Sequence, residues 1–177
     1  MFSLRSLFRP KPDANQALRP LYDAIVAAGR QPHWYLAGEV PDTLDGRFDM
    51  ISLIFALVSN RMAQDEAQAL AGVHLTEIFV TDMDGQLRQI GFGDMVVGKQ
   101  VGRMMSALGG RLGAYQSDAN SPEFRSALIR NIWRGQTPPD SALDHVAAQA
   151  AQIQAALAAT APADLVDMTH IPGSQNA

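Results

Sequence analysis

The segment from Gly93 to Tyr115 distributes its side chains over three sides of a predicted helix. At about 100° per residue its large apolar side chains fall into one arc, which is typical of a helix that packs on a core. Lys99 and Arg103, one turn apart, form a basic edge on another side. The fold must therefore cover the apolar arc of this helix, whose members are Val97, Val101, Met104, Met105, Leu108, Leu112 and Tyr115.

Beside the basic edge runs a strip that has almost no side-chain bulk. Each glycine inside a helix costs about 0.8–1 kcal/mol relative to alanine, so several of them in one helix indicate a compensating role. The pattern favours close packing against another helix of the same fold. A docking groove for a client helix, or an early helix end near Leu108, is also consistent with it. We call these residues the glycine strip: Gly98, Gly102, Ser106, Gly109, Gly110 and Gly113.

Composition narrows the class of protein. The chain has 177 residues, of which 47% are hydrophobic and 18% charged, enough for one globular domain with a core. It has no cysteine, which excludes disulfides, thiolate catalysis and zinc–thiolate sites. The net charge of −4 gives no electrostatic basis for binding nucleic acid, so no nucleic-acid partner is predicted.

Both ends of the chain are predicted to be flexible. Residues 1–12 are basic and amphipathic but lack the continuous apolar region of a secretory signal. Such a segment can make weak peripheral contact with an anionic membrane surface. The longest apolar run, residues 50–58, is too short to span a bilayer. At the other end, residues 161–177 contain two prolines and a glycine, and we expect a flexible tail there.

Between the ends, hydrophobic periodicity and capping signals predict helices at 13–29, 48–71, 120–135 and 140–159, with a loop at 31–46. Pro20 allows the first helix to begin at that residue instead. Residues 73–92 fit either a helix or a β-hairpin with an Asp-Gly turn. The predicted organisation is a helical domain over 13–135, an alanine-rich helix over 136–160, and the two flexible ends.

Motifs for cofactor or metal chemistry are incomplete. Gly93-x4-Gly98-Lys99 resembles part of a phosphate-binding loop, but Gln100 stands where the magnesium-binding hydroxyl belongs. Asp82-x-Asp84-Gly85 lacks the first and last ligands of a calcium loop. His74-x-x-Glu77 supplies only two potential metal ligands. No nucleophile or acid–base group accompanies the scattered histidines, so the sequence predicts no cofactor, no metal site and no enzymatic activity.

Several spaced blocks together resemble the ubiquinol-cytochrome c chaperone family, whose members are assembly factors for respiratory complex III. The resemblance extends over about residues 18–135 in unbroken order. The blocks that carry it are Tyr22–Val26, Val40–Asp49, Asp82–Asp84, Leu87–Arg88, Gly93–Lys99 and Gly110–Arg111.

The resemblance implies an all-α fold, a single compact multi-helix domain in which residues 73–92 are helical. It also implies a non-enzymatic role: holding newly made cytochrome b for assembly of ubiquinol-cytochrome c reductase. The residues that we expect to bind the client or a partner come from the central segment: Gly98, Lys99, Gly102, Arg103, Met104, Met105 and Arg111.

The predicted partners are nascent cytochrome b and either a small helical protein or a second copy of the chain. The predicted location is the cytoplasm, with peripheral contact at the cytoplasmic face of the inner membrane. Two other functions remain open on sequence grounds. One is a membrane-binding helical module that acts through residues 1–12, and the other is a helical domain that sequesters haem or a small molecule through His33 or His74.

Overall fold

The structure, a computed structural model, describes residues 14–89, 91 and 93–174, and the side chains of residues 94 and 95 are not among those described. The predicted basic segment 1–12 and the last three residues of the tail lie outside this part. The described residues form seven α-helices and no β-strand, which confirms the all-α prediction. They are α1 (Ala14–Gly29), α2 (Pro32–Leu36), α3 (Leu44–Met62), α4 (Ala69–Gln89), α5 (Asp94–Ala114), α6 (Pro122–Ile132) and α7 (Asp140–Ala159).

Helix α3 is the centre of the fold, and α1, α4, α5, α6 and α7 all contact it. Residues 50–58 are buried all round the helix, because this stretch is apolar on every side and other helices enclose it. Helix α5 packs on α3, α4 and α6. Among the described residues, the side of α5 that turns away from these three helices remains open.

The bounds predicted for the helix over residues 48–71 are wrong at both ends. Helix α3 begins at Leu44, where the Thr43 side chain caps it by accepting a hydrogen bond of 3.1 Å from the Gly46 amide. It ends at Met62, and α4 starts at Ala69. A Cβ on Gly46 would lie 1.9 Å from the Pro41 carbonyl oxygen, so only glycine allows this tight helix entry.

The segment 31–46, predicted as a loop, contains the short helix α2. Its Trp34 is fully buried and donates a hydrogen bond of 2.7 Å to the Ala28 carbonyl at the end of α1. A helical turn held by a buried indole therefore replaces part of the predicted loop.

Residues 69–89 are helical, so the β-hairpin alternative is wrong. The Tyr22 hydroxyl of α1 donates a hydrogen bond of 2.8 Å to the Asp82 carboxylate of α4. Five apolar residues of α4 are buried at helical spacing: Leu75, Ile78, Phe79, Met83 and Leu87. Helix α1 likewise runs through Pro20 rather than beginning there.

Part of the C-terminal segment, which the sequence predicts as a flexible tail, contacts the core between residues 161 and 174. Leu165 and Ile171 are buried in the core, and Gly173 has a φ of 79° in a turn against the backbone of Gln152. The proline and glycine residues that suggested disorder form turns here, because two apolar side chains hold the segment in place.

Candidate functional site

The exposed side of α5 carries the glycine strip and the basic edge. Its apolar arc faces the core as predicted: Val97, Leu108 and the following Tyr115 are buried. Met104 and Met105 are half-buried and packed against the core, as is Leu112. The outward side includes Lys99, Arg103 and the whole glycine strip, all of which are exposed.

None of the five glycines in the glycine strip packs closely against the described part of the fold. A Cβ built on Gly98, Gly102, Gly109, Gly110 or Gly113 would meet nothing within 4 Å. The expectation of close packing inside the domain is therefore wrong for the described residues. The early helix end is wrong as well, because α5 continues through these glycines to Ala114.

An exposed row of glycines is costly for this helix. Five glycines at about 0.8–1 kcal/mol each lower the stability of α5 by about 4 kcal/mol relative to alanine. No contact within the described structure offsets this loss, since the space beside each glycine is open. Small residues along one helix side allow the backbone of another helix to approach closely. Of the three interpretations of the glycine strip, the docking groove is the one that open space beside the glycines leaves as a prediction.

The two cations of the basic edge are available for a partner. Lys99 and Arg103 are exposed, and neither forms an ion pair with any of the side chains described. They lie one turn apart at the border of the glycine strip. The structure thus keeps together Gly98, Lys99, Gly102 and Arg103 as one open surface, while Met104 and Met105 support it from the core side.

Arg111 is also predicted as a client contact, but it does not lie on this open surface, because its side chain is buried. Only 10% of the side chain is exposed, and its guanidinium donates to the buried Asp49 carboxylate of α3 and lies over the Phe48 ring, 5.3 Å from its centroid. The Arg134 guanidinium lies 3.3 Å from the same carboxylate. Arg111 therefore joins α5 to α3.

The sequence contains a signal for this ion pair: an acidic residue next to an apolar stretch. Asp49 stands at the start of the most apolar stretch of the chain, and a buried carboxylate requires a cation. Burial raises the pKa of Asp49 to about 6, while Arg111 and Arg134 act in the opposite direction.

The histidines considered for haem binding are engaged elsewhere. His33 Nδ1 lies 2.9 Å from His145 Nε2, and His33 Nε2 is buried. His74 Nδ1 lies 3.2 Å from the Glu77 carboxylate. Neither ring nitrogen of His33 is therefore accessible to a haem iron. Among the described side chains, no group of three histidine or carboxylate residues is placed to hold a metal ion.

The His33–His145 contact predicts a loss of stability in acid. Burial and the neighbouring His145 lower the pKa of His33 to about 4, below the value of about 6.5 in an unfolded chain. The unfolded state therefore binds more protons between about pH 4 and 6.5, so the free energy of unfolding falls as the pH is lowered through this range. We expect the acid-induced loss of unfolding free energy to be about 1–2 kcal/mol smaller in His33→Gln than in wild type, after allowance for solvent screening.

Urea unfolding of wild type and His33→Gln at about pH 7 and about pH 4.5 measures this difference. Asp49 has the opposite effect on the free energy of unfolding. Because its pKa is raised in the folded protein, the folded state binds more protons than the unfolded state between about pH 4 and 6. That contribution is common to both proteins and cancels in the comparison. Equal pH dependence of the two proteins would contradict the prediction.

In the part of the chain that the structure describes, no helix combines the length and the apolar character needed to cross a lipid bilayer.

Comparison with known proteins identifies the family. The family model described as ubiquinol-cytochrome C chaperone matches residues 37–170. The crystal structure of the Cbp3 homolog from Brucella abortus superimposes with a TM-score of 0.80 at 30% sequence identity, covering 98% of this chain and 99% of that one. No curated protein matches the sequence. The match in both sequence and fold shows that the chain belongs to the ubiquinol-cytochrome c chaperone family.

Proposed function

We propose that the protein is an assembly chaperone for ubiquinol-cytochrome c reductase that captures newly made cytochrome b on the exposed side of α5. Membership of the chaperone family supports the assembly role. The observation that carries the binding site is the glycine strip: within the described structure its five glycines face open space, at a cost to the stability of the helix.

A nascent membrane helix suits this surface for a physical reason. Such a helix presents apolar side chains and, at its ends, unpaired backbone groups and charges. The glycine strip lets the backbone of that helix come close, so that many weak dispersion contacts form along its length. Lys99 and Arg103 would pair with carboxylates of the client or with the negative C-terminal end of its helix. The chaperone binds its client without chemical turnover.

We further propose that capture takes place at the cytoplasmic face of the inner membrane. Residues 1–12, which lie outside the described residues, carry arginine and lysine among apolar side chains and suit weak contact with anionic lipid. A small helical partner, or a second copy of the chain, would protect the same surface of α5 when no client is bound.

A crosslinking pull-down during active translation tests the proposal. The tagged full-length protein is compared with Lys99→Glu/Arg103→Glu, which reverses both charges of the basic edge. A matched control, Arg19→Glu/Arg125→Glu, makes the same change in net charge on α1 and α6. We expect wild type and the control to recover cytochrome b, and the basic-edge variant to lose most of it.

Circular dichroism must show that all three proteins fold before their recoveries are compared. Absence of cytochrome b from the wild-type sample, despite efficient crosslinking of other proteins, would contradict the function. Equal recovery by the basic-edge variant would contradict the binding site, and sedimentation of the purified protein would then reveal whether a second copy covers α5.

A further inference from the structure

A second surface feature lies between α5 and α6, where a cavity of about 350 Å³ opens to solvent. We call it the arginine pocket. Three of its six lining residues are arginines, and Gly110 leaves room beside them because it has no side chain. The lining residues are Ala107, Gly110, Arg111, Arg130, Asn131 and Arg134.

The arginine pocket has an excess of one positive charge. Arg111 and Arg134 share the Asp49 carboxylate, and Arg134 also lies 3.3 Å from the Asp45 carboxylate. Neither carboxylate is among the residues that line the cavity. Arg130 is exposed and forms no ion pair with the described side chains, so its charge is not balanced.

The three guanidinium groups have different roles in this arrangement. Arg111 is fixed by its buried ion pair, and only a tenth of its side chain is exposed. Arg134, at 58% exposure, is held near its two carboxylates. Arg130 is the cation that can close on a ligand, since no ion pair with the described side chains holds it. A pocket with two fixed cations and one adjustable cation is preorganised to bind an anion.

We infer that the arginine pocket binds a phosphodiester group. A phosphodiester carries one negative charge, which equals the unbalanced charge of the pocket, and the guanidinium fork matches phosphate oxygens in bidentate geometry. The volume is in the range of small-molecule sites, and a single carboxylate would leave most of it empty. The group can come from a soluble glycerophosphodiester or from the headgroup of an anionic phospholipid. The inference does not depend on client capture.

Isothermal titration of the full-length protein with glycerophosphoglycerol tests the site directly. We expect saturable binding by wild type. Arg130→Gln should weaken it by about ten- to a hundredfold, because a charge-assisted hydrogen bond is lost. Gly110→Leu should weaken it to a similar extent by filling the cavity, and the first carbon of the new side chain has open space around it.

Arg125→Gln is the matched control, because Arg125 lies on the same helix but pairs with Asp144 on α7 away from the cavity. This variant should bind as wild type does. Failure of wild type to bind glycerophosphoglycerol, or unchanged binding by both Arg130→Gln and Gly110→Leu, would overturn the inference. Equally strong competition by acetate would also overturn it, since the pocket would then select carboxylates.

Cosedimentation with vesicles distinguishes the two sources of the phosphodiester. Vesicles of phosphatidylglycerol and of phosphatidylcholine are compared, with wild type and Arg130→Gln in each. If the headgroup of an anionic lipid is the ligand, wild type sediments with phosphatidylglycerol only, and the variant sediments less. If the pocket takes a soluble ester, the two proteins sediment equally, although wild type binds glycerophosphoglycerol more tightly than Arg130→Gln does. Residues 1–12 are present in both proteins, so their contribution to vesicle binding cancels in this comparison.

Discussion

Replacing all five glycines of the glycine strip by alanine is expected to raise the free energy of unfolding by about 4 kcal/mol. Each alanine gains helix propensity, and each new Cβ points into open space. A gain of this size from exposed positions is unusual, because most substitutions destabilise. Urea unfolding at equilibrium measures it, provided that the transition remains two-state.

A sixth glycine provides the control for this prediction. Gly29 lies where α1 crosses α3, and a Cβ there would be 2.8 Å from the Ile51 Cα. Gly29→Ala is therefore expected to destabilise the protein, although the chemical change is the same. If alanine in the glycine strip also destabilises, a partner or a segment outside the described residues already packs against α5.

The same strip links stability to function in a single variant. Gly102→Leu/Gly109→Leu should raise the free energy of unfolding by about 1–2 kcal/mol, because leucine is a strong helix former. It should also abolish capture of cytochrome b, because two large side chains keep the client backbone away. A protein that is more stable and yet inactive separates a docking role from a folding defect. Retention of capture by this variant would contradict the proposed groove.

Arg111→Ala is expected to lower the free energy of unfolding by about 3–5 kcal/mol, since it leaves the buried Asp49 carboxylate without its main partner. That is a large part of the stability of an ordinary domain. Arg125→Ala, which breaks the exposed ion pair with Asp144, should cost less than about 1 kcal/mol. The difference between the free-energy costs of Arg111→Ala and Arg125→Ala measures how much burial strengthens the dependence on an ion pair.

The cost of Arg111→Ala should depend on pH. Burial already raises the pKa of Asp49 to about 6 in the wild type, and loss of the Arg111 charge raises it further. Asp49 in the variant therefore takes up its proton at a higher pH than in the wild type. We expect the cost to be smaller at about pH 5 than at about pH 8, as measured by urea unfolding. A cost below about 1 kcal/mol at both values would show that Arg134 alone satisfies Asp49.

The sequence was sufficient to predict how α5 is oriented but not what lies beside it. A helical wheel separates apolar from open sides, so the burial of Val97, Leu108 and Tyr115 followed directly. It contains no information on whether another helix covers the glycine strip. Close packing and an empty groove require the same residues, and only the positions of the neighbouring helices distinguish them.

Arg111 illustrates a second limit. On the wheel it stands between the apolar arc and the basic edge, and its sequence neighbours do not indicate a partner. The partner is 62 residues away, on α3. The C-terminal segment illustrates a third limit of sequence patterns. Its prolines and glycine, near Leu165 and Ile171, fit a disordered segment as well as tight turns. For Arg111 and for this segment alike, a tertiary contact determines where the residues lie.

Site-specific photocrosslinking during translation tests the central claim most directly. A photoreactive side chain is placed at Gly102 in the glycine strip, and in a matched variant at Ala148, which is exposed on α7. We predict that irradiation joins nascent cytochrome b to the protein from position 102 and not from position 148. Crosslinks to cytochrome b from position 148 alone, or from neither position in cells that assemble complex III with this chaperone, would contradict capture on α5.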